Sequence, residues 1–190
     1  MNFMAWQGQK NLEKLGKIMK NSAKYTIFRT KGGFFGLLAV KNGLFRAHLP
    51  CRRREQVKSQ LQERLENCQY DRGLFGKLQE KIKAYFEGEL VEFGSDVPVV
   101  LDGYSEFGCK VLETCRKIKY GETVSYGQLA KMAGRANAAR AVGGVLGRNK
   151  LPLIIPCHRV IRADGGMGGF SAAGGVEIKE KMLELERKSG

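Results

Sequence analysis

The chain has 190 residues, 43% of them hydrophobic, with 33 Lys and Arg against 19 Asp and Glu for a formal net charge of +14. That is enough apolar material for one large or two small domains, and the cationic excess favours a polyanionic partner, most simply nucleic acid. No apolar run approaches the ~20 residues of a membrane helix, and the lysine-rich start lacks the pattern of a secretory signal. Five irregularly spaced cysteines give no disulfide framework, and two histidines without a C-x-x-C pair give no four-ligand zinc site. A reducing cytoplasm is the expected setting, with no metal and no cofactor.

Residues 1–22 read as a basic helical or frayed extension. Three strands are expected at 24–30, 34–40 and 44–49, separated by Gly32-Gly33 and Asn42-Gly43, both hairpin-turn signals. After Pro50, Arg53 to Leu65 is charged with Val57, Leu61 and Leu65 at helical spacing, and Arg52-Arg53-Arg54 reads as a solvated helix start. Leu74 to Phe86 repeats the helical pattern through Leu78, Ile82, Tyr85 and Phe86, and Gly88 ends it. Val97 to Leu101 then crosses into a second region. The boundary falls near residue 100, giving an N-terminal α/β unit over 1–99 and a second unit over 100–190.

Ser105 can cap a helix in which Phe107, Val111, Leu112, Cys115 and Ile118 form one stripe, leaving Cys109 on the other face. Ser125-Tyr126-Gly127-Gln128 is a capping box that opens a second helix with Leu129, Ala130 and Ala133 inward. Gly134 closes it, Arg135-Ala136 turns the chain, and Asn137 is expected to cap a third helix running to about Gly147. Two short helices joined by a tight turn make a helix-turn-helix, a common scaffold for DNA. At ~100° per residue, Ala138, Val142, Val145 and Leu146 of the last helix face the core. Its opposite face carries Arg140, Ala141, Gly144, Gly147 and Arg148, a nearly bare backbone between two cations. Glycine inside a helix costs about 1 kcal/mol relative to alanine, so Gly143 and Gly144 imply close approach to a groove or to another helix.

Next comes a strand expected over Leu153 to Ile155, ended by Pro156, which delivers Cys157 followed directly by His158. A thiol beside an imidazole is the raw material of an activated sulfur nucleophile. On a strand the two side chains point apart, so they can cooperate only across a backbone turn or a bridging water. Residues 163–175 are glycine-rich without a phosphate-loop pattern and read as a flexible pocket wall. Ile178 to Arg187 forms a final helix with Ile178, Met182 and Leu185 on one stripe and Glu186 at its edge. A carboxylate held against apolar packing needs a partner, and His158 is one candidate.

Pro156-Cys157-His158-Arg159-Val160, preceded by Asn149 and by Ala138-Ala139-Arg140-Ala141-Val142-Gly143-Gly144, resembles the O6-alkylguanine-DNA alkyltransferases. Gly121 to Tyr126 and the ending Glu180 to Glu186 match as well, so the resemblance covers about residues 75 to 188. It implies an α+β chain with an RNase H-like N-terminal unit (a small antiparallel sheet with helices) and a C-terminal winged helix-turn-helix catalytic unit. The implied activity is stoichiometric repair: an alkyl group moves from O6-alkylguanine, and from O4-alkylthymine, in duplex DNA to a cysteine that is never regenerated. A cytoplasmic monomer is implied.

The resemblance makes Cys157 the acceptor, His158 its base through a bridging water, and Glu186 the group that orients His158. It has Asn149 brace the turn and Tyr126 protonate the departing guanine. Arg140 would fill the gap left by the flipped base, with Ala138, Ala139, Ala141, Gly144, Arg148 and Ser125 against DNA. Val160, Ser171, Phe170 and Met167 would shape the pocket, Ser171 donating to guanine O6 while the Cys157 and Val160 carbonyls accept from the exocyclic amine. Phe170 stands where members often have tyrosine, and Ala172-Ala173 is a small insertion. Read without the resemblance, a helix-turn-helix regulator and a cysteine hydrolase both stay open. The bare Ala141/Gly144 face offers little for reading base edges, and no oxyanion-hole element is evident.

Overall fold

The computed structural model describes residues 23–188 except 42, 64–66, 95 and 173. The expected extension over 1–22, the turn residue Asn42, the helical position of Leu65 and the Ala173 half of the insertion lie outside the described residues.

Alternating apolar residues build the first sheet from β1 (Lys24–Thr30), β2 (Gly33–Val40) and β3 (Gly43–Cys51), consecutive and antiparallel. A two-residue strand, β4 (Gln69–Tyr70), which no sequence pattern announces, adds to β1 in parallel and gives the order β3-β2-β1-β4. Side chains alternate faces, so Leu38 and Val40 pack with Tyr25, Ile27 and Phe45 under α1 (Arg54–Leu61). Phe35 and Leu37 face the other way. Gly36 lies so close beneath α1 that a Cβ there would stand 2.5 Å from side-chain atoms of Val57 and Leu61. The helix expected to run to Leu65 ends instead at Leu61, with Gln62 as its C-cap.

Phe35, Leu37 and Leu44 join Leu78, Ile82 and Tyr85 of α2 (Gly76–Glu87) in a core that continues without interruption to Val111, Val142, Ile155 and Met182. The crossing near residue 100 is stitched to β3: Leu44 N donates to Pro98 O at 2.8 Å, and Val100 N to Leu44 O at 2.8 Å. The apolar core therefore spans the expected boundary.

Beyond it, α3 (Glu106–Cys115) starts where Ser105 accepts from Gly108 N, and it buries Val111, Leu112 and Cys115. Cys109, on the other face, is half-buried. The Ser125 capping box forms at the start of α4 (Tyr126–Met132), and Gly134 takes φ +85° in the turn after it. α5 (Ala139–Leu146) begins one residue later than expected: its N-cap is Ala138, and Asn137 contributes no capping bond. Val142, Val145 and Leu146 are buried while Ala138 is half-buried, and Arg140, Ala141, Gly144, Gly147 and Arg148 are exposed. Short strands β5 (Val124–Ser125) and β6 (Val160–Ile161) pair in parallel, and α6 (Gly175–Lys188) closes the chain. Together these form an α+β chain with one small sheet, a two-stranded ribbon and six α-helices among the described residues.

Candidate active site

Residues 151–155 do not form the expected strand. The chain leaves α5 into a series of turns, with Ile155 N donating to Leu151 O at 2.8 Å and Leu153 at φ +73°. A left-handed leucine costs about 1–2 kcal/mol, which its complete burial and the bracing of Asn149 offset. Asn149 spans the turn: Oδ1 accepts from Leu151 N at 3.0 Å, and Nδ2 donates to Ile155 O at 2.9 Å and to Cys157 Sγ at 3.1 Å. Pro156 then leads into a 3-10 turn over Cys157–Arg159, so the backbone does bend between thiol and imidazole.

Glu186 organises the buried side of the site. It is 1% exposed, and four residues converge on the carboxylate. His158 Nε2 lies 2.8 Å from Oε1, Tyr85 Oη donates to Oε1 at 2.9 Å, and Gly121 N donates to Oε2 at 3.1 Å. Arg159 spans both oxygens, Nε donating to Oε2 at 3.0 Å and Nη2 to Oε1 at 3.0 Å, and its Nη1 holds Ile118 O at 2.6 Å. Burial alone would raise the carboxyl pKa, but the bonds and charges of His158 and Arg159 outweigh it and bring it down to about 2. An ionised carboxylate can only accept, so Nε2 of His158 carries the proton and Nδ1 presents its lone pair. Among the described residues Nδ1 has no hydrogen-bond partner, although it is buried. Burial lowers the His158 pKa against the opposing pull of Glu186, and raises that of the Cys157 thiol against the Asn149 hydrogen bond and the Lys179 charge. At neutral pH the pair rests as thiol and neutral imidazole.

Cys157 opens onto a cleft of about 580 Å³. Tyr126 and Ala139, Gly143 and Gly147 form one wall, and Gly168, Phe170 and Ser171 of the glycine-rich segment form the other. Arg162 supplies a cation that sequence reasoning did not single out. Gly168 (φ +66°) lies against Tyr126, where a Cβ would stand 2.7 Å from the phenol oxygen, so the glycine is what lets the wall close on the ring. Burial raises the Tyr126 pKa, keeping the phenol protonated.

Several expected residues sit differently. Val160 is fully buried and Met167 half-buried, and their carbonyls are both held by Lys179 Nζ, at 2.6 Å for Val160 O. The Cys157 carbonyl already accepts from Val160 N. On α6 the buried set is Lys179, Met182, Leu183 and Glu186, while Ile178 and Leu185 of the expected stripe are only half-buried. Arg159, Tyr85, Gly121 and Lys179 were all missed as members of the site. Lys179 and Glu186 recur with Leu183 at i, i+4 and i+7, a helical face whose two charged members were the available signal. Ser125 caps α4 and is half-buried, and Arg148, just past the end of α5, is exposed.

Residues 106–188 match the family described as 6-O-methylguanine DNA methyltransferase, DNA binding domain. A methylated-DNA–protein-cysteine methyltransferase of Mycolicibacterium paratuberculosis is 45% identical over 114 residues, which span 60% of this chain and 66% of the relative. The crystal structure of the Mycobacterium tuberculosis O6-methylguanine methyltransferase superposes with a TM-score of 0.71 at 32% identity, covering 89% of this chain and 95% of that one. The same organism's OGT in complex with DNA gives 0.71 at 34% identity, covering 88% and 94%. A cysteine held by Asn149 beside a histidine hydrogen-bonded to a distant glutamate thus stands on a scaffold shared along nearly the whole described chain, and the chain belongs to the methylated-DNA–protein-cysteine methyltransferase family.

Proposed function

We propose that this protein repairs O6-alkylguanine, and O4-alkylthymine, in duplex DNA by moving the alkyl group onto Cys157 in a single turnover. Sulfur bonds to the alkyl carbon in line as the carbon–O6 bond breaks. The thiol proton passes to His158 Nδ1 through a bridging water, and Tyr126 supplies a proton to the departing guanine, so charge balances. The thioether has no easy leaving group, and the protein is consumed. The observation that carries this reading is the lone pair of a buried, Glu186-oriented imidazole beside a sulfur that opens onto a purine-sized cleft.

The exposed face of α5 supports the DNA role. Its small residues Ala141 and Gly144, with half-buried Ala139 beside them, suit a minor groove about 6 Å wide, and Arg140, exposed on the same face, would occupy the stack left by the extruded base. Ser171 and Phe170 would contact the base, Ser171 donating to O6. A second lone pair on the Cys157 and Val160 carbonyls remains for the exocyclic amine. We assign residues 1–99 to an RNase H-like unit and 100–190 to a winged helix-turn-helix unit, acting as a monomer where DNA is, in cytoplasm or nucleoid. Among the described residues no helix is long and apolar enough to cross a membrane. Intact mass spectrometry tests the assignment: one methyl mass per protein after exposure to O6-methylguanine duplex, on the Cys157 peptide and absent in Cys157→Ser. No gain by the wild type overturns it.

A further inference from the structure

Glu186 receives a donor from outside the stretch matched by the DNA-binding-domain model. Tyr85 lies on α2, before residue 106, yet its hydroxyl reaches Glu186 Oε1 at 2.9 Å across 101 residues of sequence. Its side chain is completely buried, ringed by Phe86, Phe93 and Tyr120 at centroid distances of 5.2, 5.9 and 5.9 Å. That packing fixes where the oxygen sits. The same Oε1 is the atom that accepts from His158 Nε2.

We propose that Tyr85 is a positioning residue whose hydroxyl tempers the pull of Glu186 on His158 and so keeps the imidazole neutral and ready to accept a proton. The inference rests on the alkyl-transfer reading of Cys157. Tyr85 Oη, His158 Nε2 and Arg159 Nη2 share the charge of Oε1, so each is held less tightly than it would be without the others. Burial and the neighbouring carboxylate keep the Tyr85 phenol protonated, so it remains a donor throughout the working range. Without that hydroxyl, Oε1 turns more of its charge toward the Nε2 proton, the imidazolium is favoured, and His158 protonates at a higher pH. The other groups facing this pair are Arg159 and Gly121 N on the carboxylate, Tyr120 beside Tyr85 and Arg159, and Lys179 and Cys157 near the ring. All of them remain in Tyr85→Phe, which removes one oxygen and keeps the ring. The segment before residue 100 then contributes to the chemistry and is more than a scaffold.

Tyr85→Phe and Tyr120→Phe are compared with wild type in two ways. The first is the histidine ring titration by NMR in protein without DNA. The chain has two histidines, and the His158 signals are assigned by their absence in His158→Gln. The second is the single-turnover methyl-transfer rate from duplex DNA across pH. In Tyr85→Phe the His158 midpoint and the acid limb of the rate should both rise by about half a pH unit or more. On the acid side that is roughly a threefold loss of rate. At alkaline pH the rates converge. Superimposable curves, or an equal shift in Tyr120→Phe, overturn the proposal. If Tyr85→Phe fails to fold, the wild type decides. A slowly exchanging hydroxyl proton with a nuclear Overhauser contact to the His158 ring is required, and its absence overturns the proposal. A wild type that takes no methyl group refutes the alkyl-transfer assignment while leaving the histidine titration readable.

Discussion

His158 Nε2 and Glu186 Oε1 lie 2.8 Å apart with neither side chain exposed to solvent. Burial removes the competing water, so the carboxylate alone decides which ring nitrogen carries the proton. That choice leaves Nδ1 as the base.

Glu186→Gln tests this. An amide can present N–H to the ring, admitting the tautomer in which Nδ1 is protonated and useless as a base. Methyl transfer should fall by about 10²–10⁴ with duplex affinity retained. The same change leaves the buried Arg159 guanidinium without its counter-charge, a cost of about 3–5 kcal/mol, so rates must be read below the variant's melting midpoint. An undiminished single-turnover rate would remove Glu186 from the mechanism.

Asn149 donates to Cys157 Sγ at 3.1 Å while closing the turn that carries it. Asn149→Ala removes a hydrogen bond that opposes the effect of burial on the thiol. The Cys157 pKa should therefore climb further, visible as an upward move in the inflection of iodoacetamide alkylation against pH. Orphaned groups on Leu151 and Ile155 should cost about 1–3 kcal/mol of stability. An unmoved inflection would separate Asn149 from the chemistry.

A Cβ added at Gly144 meets nothing within 4 Å, so a side chain there projects from the exposed face of α5. Gly144→Leu should fold at least as well as wild type, since glycine in a helix is disfavoured by about 1 kcal/mol. Its transfer from duplex DNA should drop at least about tenfold, because a groove about 6 Å wide will not admit the added bulk. Reaction with free O6-benzylguanine should be spared. Arg140→Ala should show the same split. Equal losses on both substrates would take this face off the DNA.

Acid should destabilise the fold in two stages. Glu186 sits at about 2 against an ordinary 4.5, so its contribution is complete above pH ~4.5 and disappears as pH falls through about 2. The buried His158 lies below its ordinary 6.5, so the unfolded chain takes up its proton first and stability begins to fall as pH drops through that value. Thermal midpoints followed from pH 7 to 3 should decline throughout, and Glu186→Gln should flatten the lower stage. A midpoint that is constant from pH 7 to 5 would contradict the burial of a neutral His158.

Local patterns were legible where chemistry acts over a few residues. The Ser125 capping box, the exposed face of α5 and the succession Pro156-Cys157-His158 depend on neighbours within one or two turns, and each appears in the fold. The strand expected at 153–155 failed because an apolar run of that length suits a buried turn equally well, and Asn149 closes the turn. The Asn137 cap failed because the chain enters α5 one residue later. The N-terminal segment yielded β1, β2 and β3 but neither β4 nor the role of Tyr85, whose place in an apolar helical stripe looks the same whether or not its hydroxyl has a partner.

The sequence by itself determined which residues could react, because a thiol, an imidazole and a carboxylate are recognisable wherever they stand. Only the tertiary structure decided how they act. Tyr85, Gly121, Arg159 and Glu186 meet through contacts separated by 27 to 101 residues. Burial keeps His158 neutral and Tyr85 protonated, while the bonds of His158 and Arg159 keep Glu186 ionised, and neither distance in space nor exclusion of water is written in local spacing.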